Sequence, residues 1–180
     1  IIPLHTGFRE VKIEGGQLLV NGQPVLIKGA NRHEMDPDGG YVVSEERMIE
    51  DIRILKENNF NGVRTCHYPD DARWYALCDR YGLYLVAEAN LESHGMGYDE
   101  KTLAKNPAYA QAHLERNIRN VRRNINHPSV IVWSLGNEAG DGPNFDACYD
   151  WIKAYDPSRP VHYERAVYNN GGRNTDIVCP

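Results

Sequence analysis

The sequence predicts a parallel α/β fold, because short apolar segments alternate with longer segments of helical periodicity along most of its 180 residues. Polar residues directly follow the predicted strands, at the edge where parallel sheets place their functional sites. This pattern fits a doubly wound sheet and also part of a (β/α)8 barrel. A whole barrel has eight strands in about 250 residues. The roughly six strands predicted here therefore favour an incomplete barrel, about strands 1–6.

The elements begin with an antiparallel hairpin, whose two strands are separated by Gly15 and Gly16 and followed by the turn Asn21-Gly22. Later strands are predicted at 25–30, 62–66, 84–87, 130–135, 161–164 and 176–179, with a loop at 169–172. Helices are predicted from Ser44, Asp70, Asn106 and Pro143. In the third helix, an apolar stripe is expected to be buried, formed by Leu114, Ile118, Val121 and Ile125.

Composition excludes several classes of function. The net charge of −5 disfavours nucleic acid as a partner, and no apolar run approaches the roughly 20 residues that span a bilayer. The four cysteines form no CxxC pair and lie in apolar segments, so we interpret them as buried free thiols of a reducing compartment. A cytoplasmic location is therefore expected, and a periplasmic one stays open.

Glu138 is the first candidate for chemistry. It follows a continuous apolar strand and Asn137 precedes it. A carboxyl beside Trp133 and other apolar neighbours is expected to have a raised pKa and to act as a general acid. The alternative is a carboxylate that caps the next helix.

Glu92 and His94 form the second candidate. Residues two apart on an extended chain point the same way, so both side chains can converge on one ion, and Glu88 and Asn90 share that face. On its own this pair is a weak metal signal. Its nitrogen ligand favours Mn²⁺ or Zn²⁺ over Mg²⁺.

His33 and His67 each follow a predicted strand at the same level, which is expected of residues that hold substrate hydroxyl groups. Structural hydrogen bonding is the alternative for both. Arg64 lies inside an apolar strand, where an unpaired charge is costly, so it must meet a carboxylate. That pairing is either structural or serves to orient a catalytic group. Tyr68, by contrast, is expected to pack in the core or a loop.

Several segments carry a resemblance to a known family, and they occur in order with matching gaps. They are GFREV (7–11), GANRHE (29–34), NNFNGVR (58–64), HYP (67–69), CDRYGLY (78–84), EANLESHG (88–95), NHPSV (126–130) and WSLGNE (133–138). Together they resemble the catalytic-domain region of glycoside hydrolase family 2 β-galactosidases of the large bacterial type. The resemblance implies a TIM barrel, hydrolysis of β-galactosides and an active-site Mg²⁺, with Mn²⁺ possible.

The resemblance also implies residue roles. Glu138 matches the general acid/base, and Glu92 and His94 match its companion Mg²⁺ ligands. Asn137 matches the residue that contacts the sugar 2-hydroxyl. The remaining matches are the galactosyl-holding histidines, the arginine that orients the nucleophile and the polar lining of the pocket, namely His33, His67, Arg64, Glu88 and Asn90.

The family pattern further implies parts that lie outside this sequence. A retaining glycosidase needs a second carboxylate as nucleophile, which the family carries at strand 7, and the family's Na⁺ site lies elsewhere too. Residues 1–22 resemble the end of a preceding β-sandwich domain or linker, and residues 23–180 the N-terminal part of the catalytic barrel. We therefore expect a piece of a larger, homo-oligomeric enzyme. A β-glucuronidase-like enzyme of the same family and a non-catalytic sugar- or metal-binding module are the alternatives.

Overall fold

The structure, a computed structural model, describes residues 5–166 and 172–179. Within these residues the strands are β1 Val11–Glu14, β2 Gln17–Val20, β3 Gln23–Pro24, β4 Gly29–Arg32, β5 Gly62–Thr65, β6 Tyr84–Glu88, β7 Val130–Ser134 and β8 Val161–His162. The α-helices are α1 Glu45–Glu57, α2 Ala72–Tyr81, α3 Ala110–Asn124 and α4 Pro143–Tyr155. Short 3₁₀ turns lie at His94–Met96, Leu103–Lys105 and Pro107–Tyr109. None of the helices in these ranges combines the length and apolar character needed to cross a bilayer.

Strands β4 to β8 form one parallel sheet in sequence order, with a helix before each new strand from β5 onward. This is the order of neighbouring strands in a (β/α)8 barrel, so the prediction of an incomplete barrel is confirmed. Three strand predictions need correction. The strand expected at 161–164 ends at His162. The strand expected at 25–30 begins only at Gly29, and the one expected at 176–179 is reduced to a single bridge between Ile177 and His162. Of the predicted loop at 169–172, residues 169–171 lie outside the described ranges.

Local signals explain where the helices begin and end. The hydroxyl of Ser44 accepts a hydrogen bond from the Arg47 amide and caps α1. Asp71 caps α2, and Gly82 ends it in the left-handed conformation that favours glycine. Asn106 caps a 3₁₀ turn beginning at Pro107, and α3 proper starts only after that turn, at Ala110.

The buried face of α3 agrees only in part with the predicted apolar stripe, of which Val121 is fully buried as predicted. Leu114 and Ile118 are only partly buried, whereas Asn117, Asn120 and Asn124 are fully enclosed. The Asn120 amide donates to the Ala87 carbonyl and the Asn117 amide to the Leu135 carbonyl, so the helix satisfies polar backbone atoms near the carboxyl ends of β6 and β7. The spacing of apolar residues could not predict that three asparagines lie on the buried face of this helix.

The antiparallel sheet of β1–β3 packs against the parallel sheet rather than standing apart. Val11 and Val20 lie in one apolar cluster with Ile131 and Val132 of β7. The Arg9 guanidinium also donates to the Val130 carbonyl. All four cysteines are free thiols, as expected: Cys66, Cys78 and Cys148 are buried and Cys179 is partly exposed.

Candidate active site

The candidate residues lie along the carboxyl edge of the parallel sheet, where β5, β6 and β7 end. We name two groups there. The inner network consists of Arg64, His67, Glu88, Ser134 and Asn137, and the outer group consists of Glu92, His94 and Glu138.

Arg64 is the centre of the inner network. Its Nε donates to Glu88 Oε2 at 2.7 Å, and a terminal nitrogen donates to Asn137 Oδ1 at 2.8 Å. The other terminal nitrogen reaches Asn31 Oδ1 at 3.3 Å. The expected pairing of Arg64 with a carboxylate is thus present, and it ties the ends of β4, β5, β6 and the loop after β7 together.

Glu88 is the buried carboxylate of this network. Its side chain is fully enclosed, and burial raises its pKa although Arg64 opposes the shift. Oε2 also accepts from the Ser134 hydroxyl at 2.6 Å, while Oε1 lies 2.7 Å from Nδ1 of His67. The carboxylate therefore fixes the orientation of the His67 ring.

His33 lies beside His67, with their ring centroids 5.3 Å apart. Nδ1 of His33 is 3.4 Å from the hydroxyl of Tyr68, which in turn accepts a hydrogen bond from the Glu34 amide. The two histidines do lie at the same level, as predicted. Tyr68 was expected to pack in the core or a loop, but its ring and hydroxyl contact His33.

Asn90 was predicted to share one face of the chain with Glu88, but its side chain lies elsewhere. It is exposed and lines a depression with Tyr68 and Arg116, and its carbonyl accepts a hydrogen bond from Arg116. Strand β6 ends at Glu88, so the extended geometry that underlay the shared face does not continue through Asn90.

Asn137 connects the inner network to the outer group. Its Oδ1 accepts from Arg64, and its Nδ2 donates to Glu92 Oε1 at 2.9 Å. The preceding Gly136 makes this approach possible, because a Cβ there would lie 2.6 Å from the Leu91 carbonyl oxygen. Since the Asn137 amide donates to that same oxygen, the loops after β6 and β7 are held against each other.

The outer group is close but loosely held. His94 Nδ1 lies 3.6 Å from Glu92 Oε1 and 3.5 Å from Glu138 Oε2, too far for strong hydrogen bonds. The side chains of Glu92, His94 and Glu138 are 37%, 57% and 48% exposed. All three therefore face solvent at the edge of the sheet.

The expected apolar surroundings of Glu138 and the alternative that it caps the next helix are both wrong. Its surroundings are not apolar, because its side chain is half exposed and Trp133 is buried and donates to Asp156. Nor does it cap the next helix, since α4 begins at Pro143 after Gly142. Its backbone has a positive φ of 42°, and its amide donates to Glu164 Oε1 at 2.8 Å. The backbone of Glu138 is thus fixed while its carboxylate projects outward.

Three members of the site were missed from the sequence: Asn31, Ser134 and Glu164. Two of them have a signal that becomes clear only once the structure is known. Ser134 is the single polar residue at the end of an apolar strand. Asn31 directly precedes Arg32 and His33 at the end of β4. Glu164 follows β8 and carried no signal of its own.

The outer group fits a divalent cation. One ligand atom from each of its residues lies within 4.8 Å of the others. Two carboxylates and one imidazole, all open to solvent, suit an ion that keeps several water ligands, as Mg²⁺ does. The imidazole also admits Mn²⁺.

A parallel sheet with barrel strand order and polar, ionisable side chains at its carboxyl edge places this chain in the class of TIM-barrel domains. More particularly, the chain belongs to the glycosyl hydrolases family 2, TIM barrel domain, whose model matches residues 11–179. A curated β-galactosidase of Lactococcus lactis is 54% identical over 176 residues, and one of Alteromonas mediterranea is 53% identical over 179 residues. Both alignments cover nearly the whole chain, 97% and 98%, but only 18% and 17% of the relatives' lengths.

Solved structures show the same architecture. A β-D-glucuronidase of Dictyoglomus thermophilum superposes with a TM-score of 0.83 at 30% identity, covering 97% of this chain and 32% of that one. The apo β-glucuronidase of Ruminococcus gnavus gives 0.81 at 29% identity, covering 97% and 32%. The chain spans about a third of these structures and less than a fifth of the curated relatives.

Proposed function

We propose that this chain is the acid/base-bearing part of a retaining β-galactosidase that releases terminal β-D-galactose from lactose-like galactosides. The observation that carries the proposal is the position of Glu138: it is exposed, lies beside Glu92 and His94, and follows Asn137, which is tied to Arg64. The curated relatives named β-galactosidase support the choice of sugar.

In this proposal each residue of the edge has a task. Glu138 protonates the glycosidic oxygen of the departing group and later deprotonates the attacking water. Asn137 contacts the sugar 2-hydroxyl, and His33 and His67 hold the other hydroxyl groups and stabilise the transition state. Asn90 receives no task, because it lies in the depression with Tyr68 and Arg116. Their hydrogen-bonded surroundings support these assignments because oriented polar groups need no reorganisation during the reaction.

Glu92, His94 and Glu138 would hold Mg²⁺, or Mn²⁺ in its place. The bound cation would fix the Glu138 carboxylate and adjust its acidity. All three side chains are more than a third exposed, so water could complete the coordination of the ion.

The reaction we propose is a double displacement. A second carboxylate, about 5–5.5 Å from the acid, attacks the anomeric carbon while the glycosidic bond breaks. Water then cleaves the glycosyl-enzyme ester and the configuration is retained. We assign this nucleophile to residues beyond those in this sequence and propose that Arg64 helps to orient it, while Glu88, fully buried, anchors Arg64.

β-Glucuronidase activity is the second candidate, favoured by one observation: the two solved structures described above, which superpose on this chain, are named β-glucuronidases. A glucuronidase must pair the sugar carboxylate with basic and amide groups. The galactosidase proposal is preferred because identity is 53–54% to the curated galactosidases against 29–30% to these two structures.

The test compares aryl β-galactoside with aryl β-glucuronide, using the complete natural polypeptide that contains this sequence and, separately, the 180-residue chain. We expect the complete polypeptide with Mg²⁺ to hydrolyse the galactoside at least about a hundredfold faster, since a site built around hydroxyl groups strongly rejects an ill-matched sugar. Preference for the glucuronide would overturn the substrate. Hydrolysis by the 180-residue chain alone would overturn the placement of the nucleophile.

The partners and location follow as parts of the same proposal. We propose that the other domains of the complete polypeptide and further copies of it surround this barrel portion. The free thiols favour the cytoplasm.

A further inference from the structure

A second group of metal-binding side chains lies at the same edge of the sheet, at the ends of β4 and β5. One ligand atom each from His33, Cys66 and His67 lies within 4.8 Å of the others. The tasks proposed above use the two histidines but leave the thiol of Cys66 unused. The thiol is buried, and His33 is exposed, so the group is open to solvent from the histidine side.

The surroundings of the two histidines suit metal ligation. Glu88 Oε1 lies 2.7 Å from Nδ1 of His67, which leaves Nε2 as the nitrogen available to a ligand. A carboxylate behind a metal-binding histidine is the usual way in which proteins orient such a ring. On the His33 side, the Tyr68 hydroxyl lies 3.4 Å from Nδ1 and likewise leaves Nε2.

We propose that His33, Cys66 and His67 bind a thiophilic divalent cation such as Zn²⁺. The bound ion inhibits hydrolysis because it occupies the place of the sugar hydroxyl groups. The inhibition rests on the proposed function, but the binding does not. Two imidazoles and a thiolate leave the fourth tetrahedral position of Zn²⁺ to water, as in open zinc sites.

The chemistry of the donors separates this site from the outer group. Sulfur selects soft ions, whereas the two carboxylates of Glu92 and Glu138 suit Mg²⁺ and Mn²⁺. Zn–N and Zn–S bonds of about 2.0–2.3 Å require the three ligand atoms to lie closer together than the 4.8 Å limit, so the side chains must close around the ion when it binds. On binding, the S–H bond of Cys66 breaks, the sulfur keeps the electron pair for the metal, and the proton leaves to water.

The binding test uses Co²⁺ as a spectroscopic probe for Zn²⁺, with the complete natural polypeptide in saturating Mg²⁺. We expect one Co²⁺ per chain with a thiolate-to-cobalt charge-transfer band that Zn²⁺ abolishes. The band should disappear in Cys66→Ser and persist in Cys179→Ser, a matched control in which the thiol lies 2.9 Å from the single histidine His162. A wild-type protein without the band, or a Cys66→Ser protein that keeps it, overturns the site.

The inhibition test measures aryl β-galactoside hydrolysis against Zn²⁺ concentration. We expect Zn²⁺ to raise the apparent KM without lowering kcat, and Cys66→Ser to need at least about tenfold more Zn²⁺, because even an outer-shell partner of a metal ligand is worth about 10–100-fold in affinity. Equal sensitivity of Cys66→Ser and wild type overturns the inhibitory role. If hydrolysis itself is missing while the cobalt band is present, the proposed function fails and the metal site stands.

Discussion

The inner network and the outer group differ in how firmly the protein alone holds them. Glu88 is fully buried and accepts or shares hydrogen bonds with Arg64, His67 and Ser134 at 2.6–2.7 Å. By contrast, His94 approaches Glu92 and Glu138 no closer than 3.5 Å, and all three side chains are exposed. At the same edge of the sheet, the inner network is therefore preorganised and the outer group is open to solvent.

This difference teaches how the two halves divide the work. A buried, fully bonded network holds its geometry before substrate arrives, which favours positioning and transition-state stabilisation. A solvent-exposed set of carboxylates and an imidazole is available for proton transfer and for a cation. Asn137 bonds to Arg64 on one side and to Glu92 on the other, so it transmits the order of the inner network to the outer group.

The largest expected effect is on chemistry in the outer group. Glu138→Gln should lower kcat for a lactose-like substrate by about 10²–10⁴-fold, because it removes general acid/base catalysis. The unfolding transition should not move, since the carboxylate is exposed. Steady-state kinetics on the complete polypeptide checks this, with Glu100→Gln, another exposed glutamate, as the control. Equal losses in the two variants would remove Glu138 from the mechanism.

A large stability effect is expected in the inner network. Arg64→Met leaves the buried Glu88 carboxylate without its cation, which should lower the free energy of unfolding by about 3–5 kcal/mol. Arg53→Met is the matched control, because Arg53 forms exposed ion pairs with Glu50 and Glu57 that contribute roughly 0–1 kcal/mol. Urea unfolding measures both. Similar losses in the free energy of unfolding for the two variants would mean that the inner network is not held more firmly than an exposed ion pair.

A pH-dependent effect is expected from His162, which lies behind Ser134. Burial lowers the pKa of His162 to about 4 from its ordinary 6.5, with the Arg64 charge adding to the shift. The unfolded chain therefore binds a proton on His162 more readily than the folded chain does. The contribution of neutral His162 to the free energy of unfolding is complete above pH 6.5, and it is lost as the pH falls from there towards 4. The shift corresponds to about 3 kcal/mol.

His162→Gln should therefore be less sensitive to acid than wild type across that interval. The measurement is the free energy of unfolding of both proteins at pH 7 and pH 4.5. A wild-type minus variant difference that stays constant with pH would show that His162 does not titrate in this way.

The smallest effect is expected on metal affinity. His94→Gln should raise the Mg²⁺ concentration needed for half-maximal hydrolysis by roughly tenfold, in line with the cost of disturbing a metal's ligand set. Chelation by EDTA should remove the activity of wild type, and Mg²⁺ should restore it. His5→Gln, a change at another exposed histidine, is the control. An unchanged Mg²⁺ requirement in His94→Gln would take His94 out of the metal site.

The sequence predicted the elements better than it predicted their contacts. Ser44, Gly82 and Pro143 mark helix ends by local chemistry, which acts within a few residues and so is visible in the sequence. The parallel order of the strands followed from the same alternation. Strand 25–30 was placed too early because its apolar residues 25–27 lie outside the parallel sheet, and Val25 packs with the β1–β3 cluster instead.

The site was predicted by residue type but not by environment. The sequence indicates that Arg64 must pair with a carboxylate. The identity of that partner, Glu88, and the hydrogen bond to Asn137 depend on how β5, β6 and β7 align side by side in the sheet. The exposure of Glu138 depends on the loop that Gly136 holds against Leu91, a close approach that no local pattern encodes. Long-range contacts of this kind decide pKa values and access, and a periodicity analysis does not contain them.

The most direct test of the central claim, that Glu138 is the acid/base of a retaining β-galactosidase, is azide rescue of Glu138→Gly. Glycine readily adopts the positive φ of 42° at this position, so the substitution keeps the backbone. Azide attacks a glycosyl-enzyme ester without needing a general base. We predict that azide accelerates hydrolysis of an aryl β-galactoside with a good leaving group and yields β-galactosyl azide, the product of retention. No rescue, or α-galactosyl azide as the product, would contradict the account.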